Sequence, residues 1–476
     1  MLKIRQVLFA CLVFTQQASA SASASASIHS FAPPGLCTLA DIWPQGPGHT
    51  LVPQRPDAEL TKILAQIDPA RIKATITKLV SFGTRHTLSN QTDPMRGVGA
   101  ARDWIAAELR SYATASNGRM TVSVPSYVQP PATRIPTDTV ISNVVATLRG
   151  SEESNRAYVI SGHYDTRVSD PLNFMDDGPG ANDDASGVAV SMELARVFAG
   201  HVPKATMMFA AVAGEEQGLF GSNFLATSLK EAGVDVQGML NNDIVGSSTG
   251  DDGTRAPFDI RMFAQGIPTT ETAAETAKRV SIGGENDSPA RQLGRFVAEV
   301  SQNPSTKMGV HIMYRPDRYL RGGDHLSFLK QGFPAVRFTE PHENFAHQHQ
   351  DIRVVDGVQF GDLIEFVDFD FVARVARVNG AALWSLAQAP GTPKDVVIAN
   401  KVLGNNSTLS WTADTGADGG YEIVWRATDE PFWSHVIPVG QTNTATVQMS
   451  KDNVHFGVRS VGKNGFRSPA TFPFPG

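Results

Sequence analysis

Cysteine is nearly absent from this chain of 476 residues, which contains only Cys11 and Cys37. Because Cys11 lies in a segment that we expect to be removed, Cys37 has no partner, and the mature chain is expected to form no intramolecular disulfide. The same scarcity excludes thiolates as the ligands of a metal site. Basic runs are also missing and the formal net charge is −6, which argues against nucleic acid as a partner.

Long apolar runs are missing as well. The short run VLFACLVF follows Lys3 and Arg5 and precedes an A-x-A pattern that ends at Ala20. This arrangement is typical of a signal peptide over residues 1–20. No other segment reaches the length of a membrane span. We therefore expect an exported protein, secreted or periplasmic.

The remaining length predicts two domains after a flexible start. Residues 21–56 combine a Ser/Ala repeat with several prolines and are expected to form an irregular arm. Residues 57–389 alternate apolar strand patterns with amphipathic helix patterns, which predicts an α/β domain with a mostly parallel central sheet flanked by helices. Residues 390–476 begin with the linker PGTPKD and then show only short strand patterns, typical of an all-β sandwich.

Polar side chains follow the apolar runs of the α/β domain. Because the carboxyl ends of parallel strands meet at one edge of a sheet, these side chains are expected to converge there. Imidazoles and carboxylates without cysteine are ligands that suit Zn²⁺. The set consists of His163, Asp183, Glu215, Glu216, Asp243 and His347.

Two histidines and four carboxylates are enough for a pair of hydrolytic metal ions. Ions roughly 3.5–4 Å apart need a bridging anion, which Asp183 can supply with its two oxygens. Each ion then takes one more carboxylate and one imidazole. One carboxylate of the Glu215-Glu216 pair is left over as a general base.

The motifs HYDTR, GPGANDDASG, AGEEQGLFGS, NND, GGDHLSF, GFPAVRFTE and HQHQD resemble the co-catalytic dizinc aminopeptidase family over about residues 57–390. The resemblance implies a zinc exopeptidase-like fold with two Zn²⁺ per chain and a cis peptide bond after Asp183. It also implies a role for each residue of the set: His163 and Asp243 bind one zinc, Glu216 and His347 bind the other, Asp183 bridges them, and Glu215 is the general acid/base.

Supporting residues follow from the same resemblance. Asp165 would orient His163. The family pattern places a histidine four residues before an aspartate, which His347 and Asp351 satisfy, so Asp351 would be a further supporting carboxylate. His349 is the alternative ligand to His347.

The segment YRPDRYLRGG contains three arginines, Arg315, Arg318 and Arg321. They belong either to a solvated loop or to a subsite that binds a peptide carboxylate or carbonyl. Asp324 and His325 are expected to be structural or to line the pocket.

The resemblance predicts an exopeptidase that acts on peptides or proteins, and most simply an aminopeptidase that releases N-terminal residues with water activated by zinc. A carboxypeptidase or dipeptidase is the first alternative, because the arginines would suit a terminal carboxylate. A glutaminyl cyclase would need one zinc, and a non-catalytic receptor would have lost ligands. The C-terminal sandwich resembles a fibronectin type III-like domain, around Trp411 and YEIVWR, and is expected to bind a surface or a partner or to cap the site.

Overall fold

The computed structural model describes residues 43–476. The predicted signal peptide, the Ser/Ala repeat and both cysteines lie outside the described residues. Within the described part of the chain, no helix is both long and apolar enough to cross a membrane.

The described residues form ten α-helices. Their bounds are Ala58–Ala65 (α1), Pro69–Val80 (α2), Val98–Ala113 (α3), Ala185–Phe198 (α4), Glu215–Gly218 (α5), Phe220–Glu231 (α6), Ala273–Ser281 (α7), Pro289–Val300 (α8), His325–Lys330 (α9) and Phe369–Gln388 (α10).

Twenty strands accompany these helices. Their bounds are His49–Thr50 (β1), Met120–Ser123 (β2), Ser126–Gln129 (β3), Thr139–Ser142 (β4), Val144–Leu148 (β5), Glu153–His163 (β6), Ala205–Val212 (β7), Asp235–Asn242 (β8), Asp259–Ala264 (β9), Gly309–Met313 (β10), Ala335–Thr339 (β11), Arg353–Val355 (β12), Val358–Phe360 (β13), Lys394–Ile398 (β14), Ser407–Thr412 (β15), Gly420–Ala427 (β16), His435–Gly440 (β17), Thr444–Val447 (β18), Val454–Val461 (β19) and Phe474–Pro475 (β20).

The central sheet has eight strands in the order β10-β9-β11-β8-β6-β7-β5-β2. Its four middle strands, β11, β8, β6 and β7, are parallel neighbours. By contrast, β9 is antiparallel to β11, and β5 is antiparallel to β7. The sheet is therefore mixed, and the predicted parallel arrangement applies to its centre. The apolar pattern of β9 is interrupted by Asp259 and Arg261, so its local sequence does not mark it as a strand.

Helices pack against this sheet through a nearly continuous apolar core. All eight residues of β7 are buried, and so are thirteen of the fourteen residues of α4. Helix α10 begins at Phe369, because the Asp368 side chain accepts the Phe371 N–H and caps it. The buried middle strands and α4 form the rigid frame from which the metal-site residues emerge.

The strands beyond α10, together with β1, form two four-stranded sheets, β1-β17-β16-β19 and β18-β15-β14-β20. Side chains from both sheets, including Trp411 and Trp425, share one buried cluster, which makes this region a β-sandwich. Strand β1 comes from the arm predicted to be irregular and pairs with β17. The sandwich is tied to the turn that leads into α8, since Arg426 lies 2.7 Å from Asp287.

Candidate metal centre

The parallel strands bring the predicted polar residues to one edge of the sheet. His163 is the last residue of β6, and Asp243 directly follows β8. The His163 Nε2 atom lies 3.1 Å from Asp183 Oδ1 and 3.9 Å from Asp243 Oδ1. These three side chains offer donor atoms that lie within 4.8 Å of one another.

A second group of three donors shares Asp183. The Nε2 atom of His349 lies 2.8 Å from Asp183 Oδ2 and 2.9 Å from Glu216 Oε1. The donor atoms of this group also lie within 4.8 Å of one another. The two oxygens of Asp183 therefore face two different groups, as a bridging carboxylate would.

The prediction that His347 completes the second group is wrong. The His347 ring stacks on Phe366 with ring centroids 3.6 Å apart, and it lines a separate cavity that also contains Ser247. His349 has a left-handed backbone with φ 54° and turns toward Asp183. The motif HQHQD contains two histidines on a loop, and only the loop conformation selects between them.

Two glycines allow Asp184, the residue before α4, to approach the ends of β6 and β8. A Cβ atom on Gly162 would lie 2.4 Å from the Gly187 carbonyl carbon, and one on Gly187 would lie 2.1 Å from the Asn242 carbonyl oxygen. Asp184 uses this proximity, because its carboxylate accepts the N–H groups of His163 and Gly187, each at 2.9 Å. The Asp183–Asp184 peptide bond is cis, as the resemblance predicts.

The loop that leads to Asp183 is held by residues that the sequence analysis missed. The buried Arg85 guanidinium donates to the carbonyls of Tyr164, Pro179 and Gly180 at 2.5–2.9 Å. The carboxylate of Asp362 accepts the Asp183 N–H at 2.7 Å. Burial raises the pKa of Asp362 to about 7. Both residues lie at least 79 positions from the residues they hold, so no local pattern marks them.

Asp165 supports both groups. Its main-chain carbonyl lies 3.1 Å from His163 Nδ1, closer than its carboxylate at 3.6 Å. The carboxylate instead accepts the N–H groups of Glu215 and Glu216 and the Thr87 hydroxyl. Asp165 therefore orients His163 mainly through its backbone and fixes the first turn of α5 with its side chain.

A buried arginine braces Asp243. Arg337, which is fully buried, places Nη2 2.7 Å from Asp243 Oδ1 and Nη1 3.1 Å from the buried Asp317. His325 lies next to this pair, where its Nε2 atom is 2.7 Å from the Pro316 carbonyl. Burial lowers the pKa of His325 to about 4, so the ring is neutral and structural.

Glu215 stands apart from both groups of donors. Its Oε2 atom lies 4.0 Å from His163 Nε2, and its side chain is 14% exposed. Burial raises the pKa of Glu215 well above its usual value, and repulsion from Asp243 and Glu216 adds to the rise, against the attraction of His163. A carboxyl group with a raised pKa beside a metal site suits a general acid/base.

The charge balance of the cluster fits bound cations. Burial alone would raise the pKa of Asp183, but the attraction of His349 and His163 holds it well below its usual value. Burial would lower the pKa of His349, yet Glu216 and Asp183 raise it to about 10. Carboxylates that draw protons onto the imidazoles around them form a site that attracts cations. The donors are nitrogen and oxygen, the set that suits zinc.

A cavity of about 720 Å³ opens onto this centre. Of the three arginines predicted to bind substrate, Arg318 and Arg321 line it, whereas Arg315 stacks on Tyr319 outside it. The structure also adds two arginines that the sequence analysis did not select, Arg134 and Arg167.

The contacts of Asp351 contradict the supporting role that was predicted for it. Its carboxylate accepts the Ser169 N–H at 3.3 Å, and its own N–H donates to the Ser169 hydroxyl. The chain turns at His349, so Asp351 stabilises the loop instead of a ligating imidazole.

Comparisons with known proteins agree with this geometry. The family model for peptidase family M28 matches residues 143–355. A probable zinc metalloprotease of Pyrenophora teres is 58% identical over 92% of this chain and 92% of its own length. A probable zinc metalloprotease of Pyricularia oryzae is 58% identical over 90% of this chain and 87% of its own. The fold also resembles the crystal structure of LapB from Legionella pneumophila, with 19% identity, a TM-score of 0.50, and coverage of 72% of this chain and 78% of that one.

The donor set and these relatives define the class of the protein as a zinc metalloprotease. Within that class, the chain belongs to peptidase family M28. Its substrates are accordingly peptides or proteins.

Proposed function

We propose that this metalloprotease is a dizinc aminopeptidase that releases residues from the N-terminus of peptides. The observation that carries the proposal is that Asp183 is shared between two groups of three donors. A shared carboxylate is needed when two ions lie close together. A glutaminyl cyclase with one zinc would need only one such group.

Metal binding, proton transfer and positioning would fall to different residues of the chain. His163, Asp183 and Asp243 would hold one zinc, and Asp183, Glu216 and His349 would hold the other. When bound, two zinc ions polarise the scissile carbonyl and lower the pKa of water. Glu215 accepts the proton of the attacking water and returns it to the leaving amine. Arg337 and Asp165 keep Asp243 and the Glu215-Glu216 turn in position.

The substrate end is tested with a matched set of peptides. Ala-Ala-Ala-amide, N-acetyl-Ala-Ala-Ala with a free carboxylate, and Ala-Ala-Ala with both ends free are incubated with the zinc-loaded enzyme, and the products are identified by mass spectrometry. We expect release of free alanine from both peptides with a free N-terminus and none from the acetylated peptide. Cleavage of the acetylated peptide at its C-terminus would contradict the proposal.

A carboxypeptidase is the second candidate, because arginines line the cavity. It would release alanine from the free carboxylate of an acetylated tripeptide and leave the amide intact. The same set of peptides therefore separates the two candidates.

We also propose that the protein is exported. The support is the pattern of basic, apolar and small residues that ends at Ala20. N-terminal sequencing of protein collected from the culture medium tests this, and we expect a first residue at or near position 21. Retention of the intact N-terminus inside the cell would contradict it.

A further inference from the structure

The cavity over the metal centre has a divided charge. Its carboxylates all belong to the metal centre: Asp183, Glu215, Glu216 and Asp243. The other charged side chains that line it, apart from His349 of the metal centre, are four arginines, which we call the arginine rim: Arg134, Arg167, Arg318 and Arg321. Among the described residues, negative charge in the cavity therefore lies at the metal centre and positive charge lies on the arginine rim.

Charge pairing neutralises the arginine rim only in part: Arg167 lies 3.1 Å from Glu216, whereas Arg134 has no carboxylate partner among the described residues. Glu343, which is 5% exposed, is shared by three arginines, Arg261, Arg318 and Arg321, at 2.6–3.1 Å. Asp317 is shared by Arg318 and Arg337. Arg337 also pairs with Asp243, so the four arginines of this network, Arg261, Arg318, Arg321 and Arg337, face three carboxylates, an excess of one positive charge. Burial would raise the pKa of both carboxylates, but the attraction of Arg318 lowers the pKa of Glu343 and that of Arg337 lowers the pKa of Asp317. Both carboxylates are therefore already ionised.

Two members of the rim retain donors for a ligand. Arg321 uses Nη1 for Glu343 and Gln348, and its side chain is 33% exposed. Arg134 is exposed and uses Nη1 for the Glu216 carbonyl at 2.7 Å. The Nε and Nη2 atoms of both residues have no hydrogen-bond partner among residues 43–476. A guanidinium with two free N–H groups matches the two oxygens of a carboxylate.

We infer that the arginine rim selects substrates with a carboxylate close to the scissile bond. The inference rests on the proposed aminopeptidase function and adds its substrate class. Three sources supply such a group: an acidic side chain on the first residue, an acidic side chain on the second residue, or the C-terminus of a dipeptide. A cationic side chain in the same position would be repelled by the rim.

The test compares acidic substrates with amides of the same shape. Glu-Ala-amide is paired with Gln-Ala-amide, Ala-Glu-amide with Ala-Gln-amide, and Ala-Ala with Ala-Ala-amide. We expect kcat/KM to be about 10-fold to 100-fold higher for the acidic member of at least one pair, as for a gained charge-assisted hydrogen bond. The pair that shows the ratio identifies the source of the carboxylate.

Variants connect the ratio to the rim. Arg321→Gln and Arg134→Gln are each expected to reduce the acidic-to-amide ratio at least fivefold. Arg315→Gln is the matched control, because Arg315 belongs to the same segment but stacks on Tyr319 outside the cavity. Its ratio should stay at the wild-type value. Since each variant is judged by a ratio, a general loss of folded protein does not alter the result.

The possible outcomes distinguish the substrate class from the proposed aminopeptidase function. Ratios within twofold in all three pairs would overturn the substrate class and leave the aminopeptidase function standing. A preference for the acidic member that both rim variants retain would also overturn the assignment to the rim. If none of the six peptides releases its first residue, the proposed aminopeptidase function itself is overturned.

Discussion

The two halves of the metal centre are built differently. His163 and Asp243 sit at the ends of neighbouring parallel strands, and their side chains are 1% and 4% exposed. Glu216 is the second residue of a four-residue helix, and His349 lies on a loop with 22% of its side chain exposed. The first half thus takes its rigidity from the sheet, whereas the second takes it from loop contacts.

This difference explains which ligands a pattern of residues can predict. A strand end is marked by the apolar run before it, and the pairing of β6 with β8 then sets the separation of His163 and Asp243. A residue on a loop has neither an apolar run before it nor a strand pairing to set its position. The Arg167 Nη2 atom lies 2.7 Å from His349 Nδ1, a contact between residues 182 positions apart that helps to orient this imidazole.

The largest effect on activity is expected from replacing Glu215, the carboxylate next to His163 in the first half. Glu215→Gln removes the proposed general base, so kcat should fall by about 10²- to 10⁴-fold while both zinc ions stay bound. Zinc is counted by mass spectrometry of the native protein. Glu216→Gln is the matched variant and should lose zinc from the second half. A Glu215→Gln enzyme that keeps more than a tenth of the wild-type rate would exclude Glu215 as the base.

The two histidines of the loop provide the next test. His349→Ala should lower kcat/KM by more than about 100-fold, since losing a ligand costs at least as much as losing a residue that supports one. It should also bind one zinc tightly instead of two. His347→Ala is the control and should stay within about threefold of wild type. The reverse ranking would restore His347 as the ligand and refute the loop conformation described above.

Arg337 tests whether the first half depends on its buried brace. Arg337→Met leaves Asp243 without its ionic partner, so zinc affinity at the first half should fall by about 10- to 100-fold. The second half should be unaffected, which titration against a competing chelator detects as one weakened and one unchanged site. Arg337→Lys keeps the charge and should recover part of the affinity. Equal weakening of both sites would mean that the variant is misfolded rather than locally unbraced.

His325 is expected to make the protein less stable in acid. The ring must be neutral in the folded state, where burial lowers its pKa to about 4, but it is protonated in the unfolded chain below its usual pKa. Stability from this residue is therefore present above about pH 6.5 and is lost as the pH falls toward 4. At pH 5 the loss is about 2 kcal/mol.

The variant His325→Gln keeps a donor for Pro316 without a titratable ring. Urea unfolding of the metal-free protein at pH 5.0 and 7.5 should show a smaller decrease in the free energy of unfolding than wild type shows. Identical decreases in both proteins would mean that His325 does not carry this pH dependence.

Most of the first half of the site could be predicted from the sequence. The apolar runs before His163, Glu215 and Asp243 identify these side chains as neighbours at one sheet edge, and the motif GPGAND adds Asp183. The choice of zinc follows from the same residues, because imidazole and carboxylate donors suit it. The supports Arg85 and Asp362 could not be predicted, since they act on residues far away in the chain.

The fold shows the same division. The alternating strand and helix patterns predict the α/β domain and the sandwich that follows it. They do not predict that β1 joins the sandwich from the other end of the chain, or that β9 enters the central sheet antiparallel to β11. Strand direction and edge pairing depend on how distant segments pack, which a local pattern does not record.

The sequence by itself determined the chemistry of this protein: the types of metal-ligating residues, their order along the chain, and the additional carboxylate that can act as a general base. Only the tertiary structure decided that His349 rather than His347 faces Asp183, and that Arg134 and Arg167 join Arg318 and Arg321 around the cavity. The physical reason is that a strand end inherits its position from hydrogen-bonded register, whereas a loop residue is placed by contacts with parts of the chain that are remote in sequence.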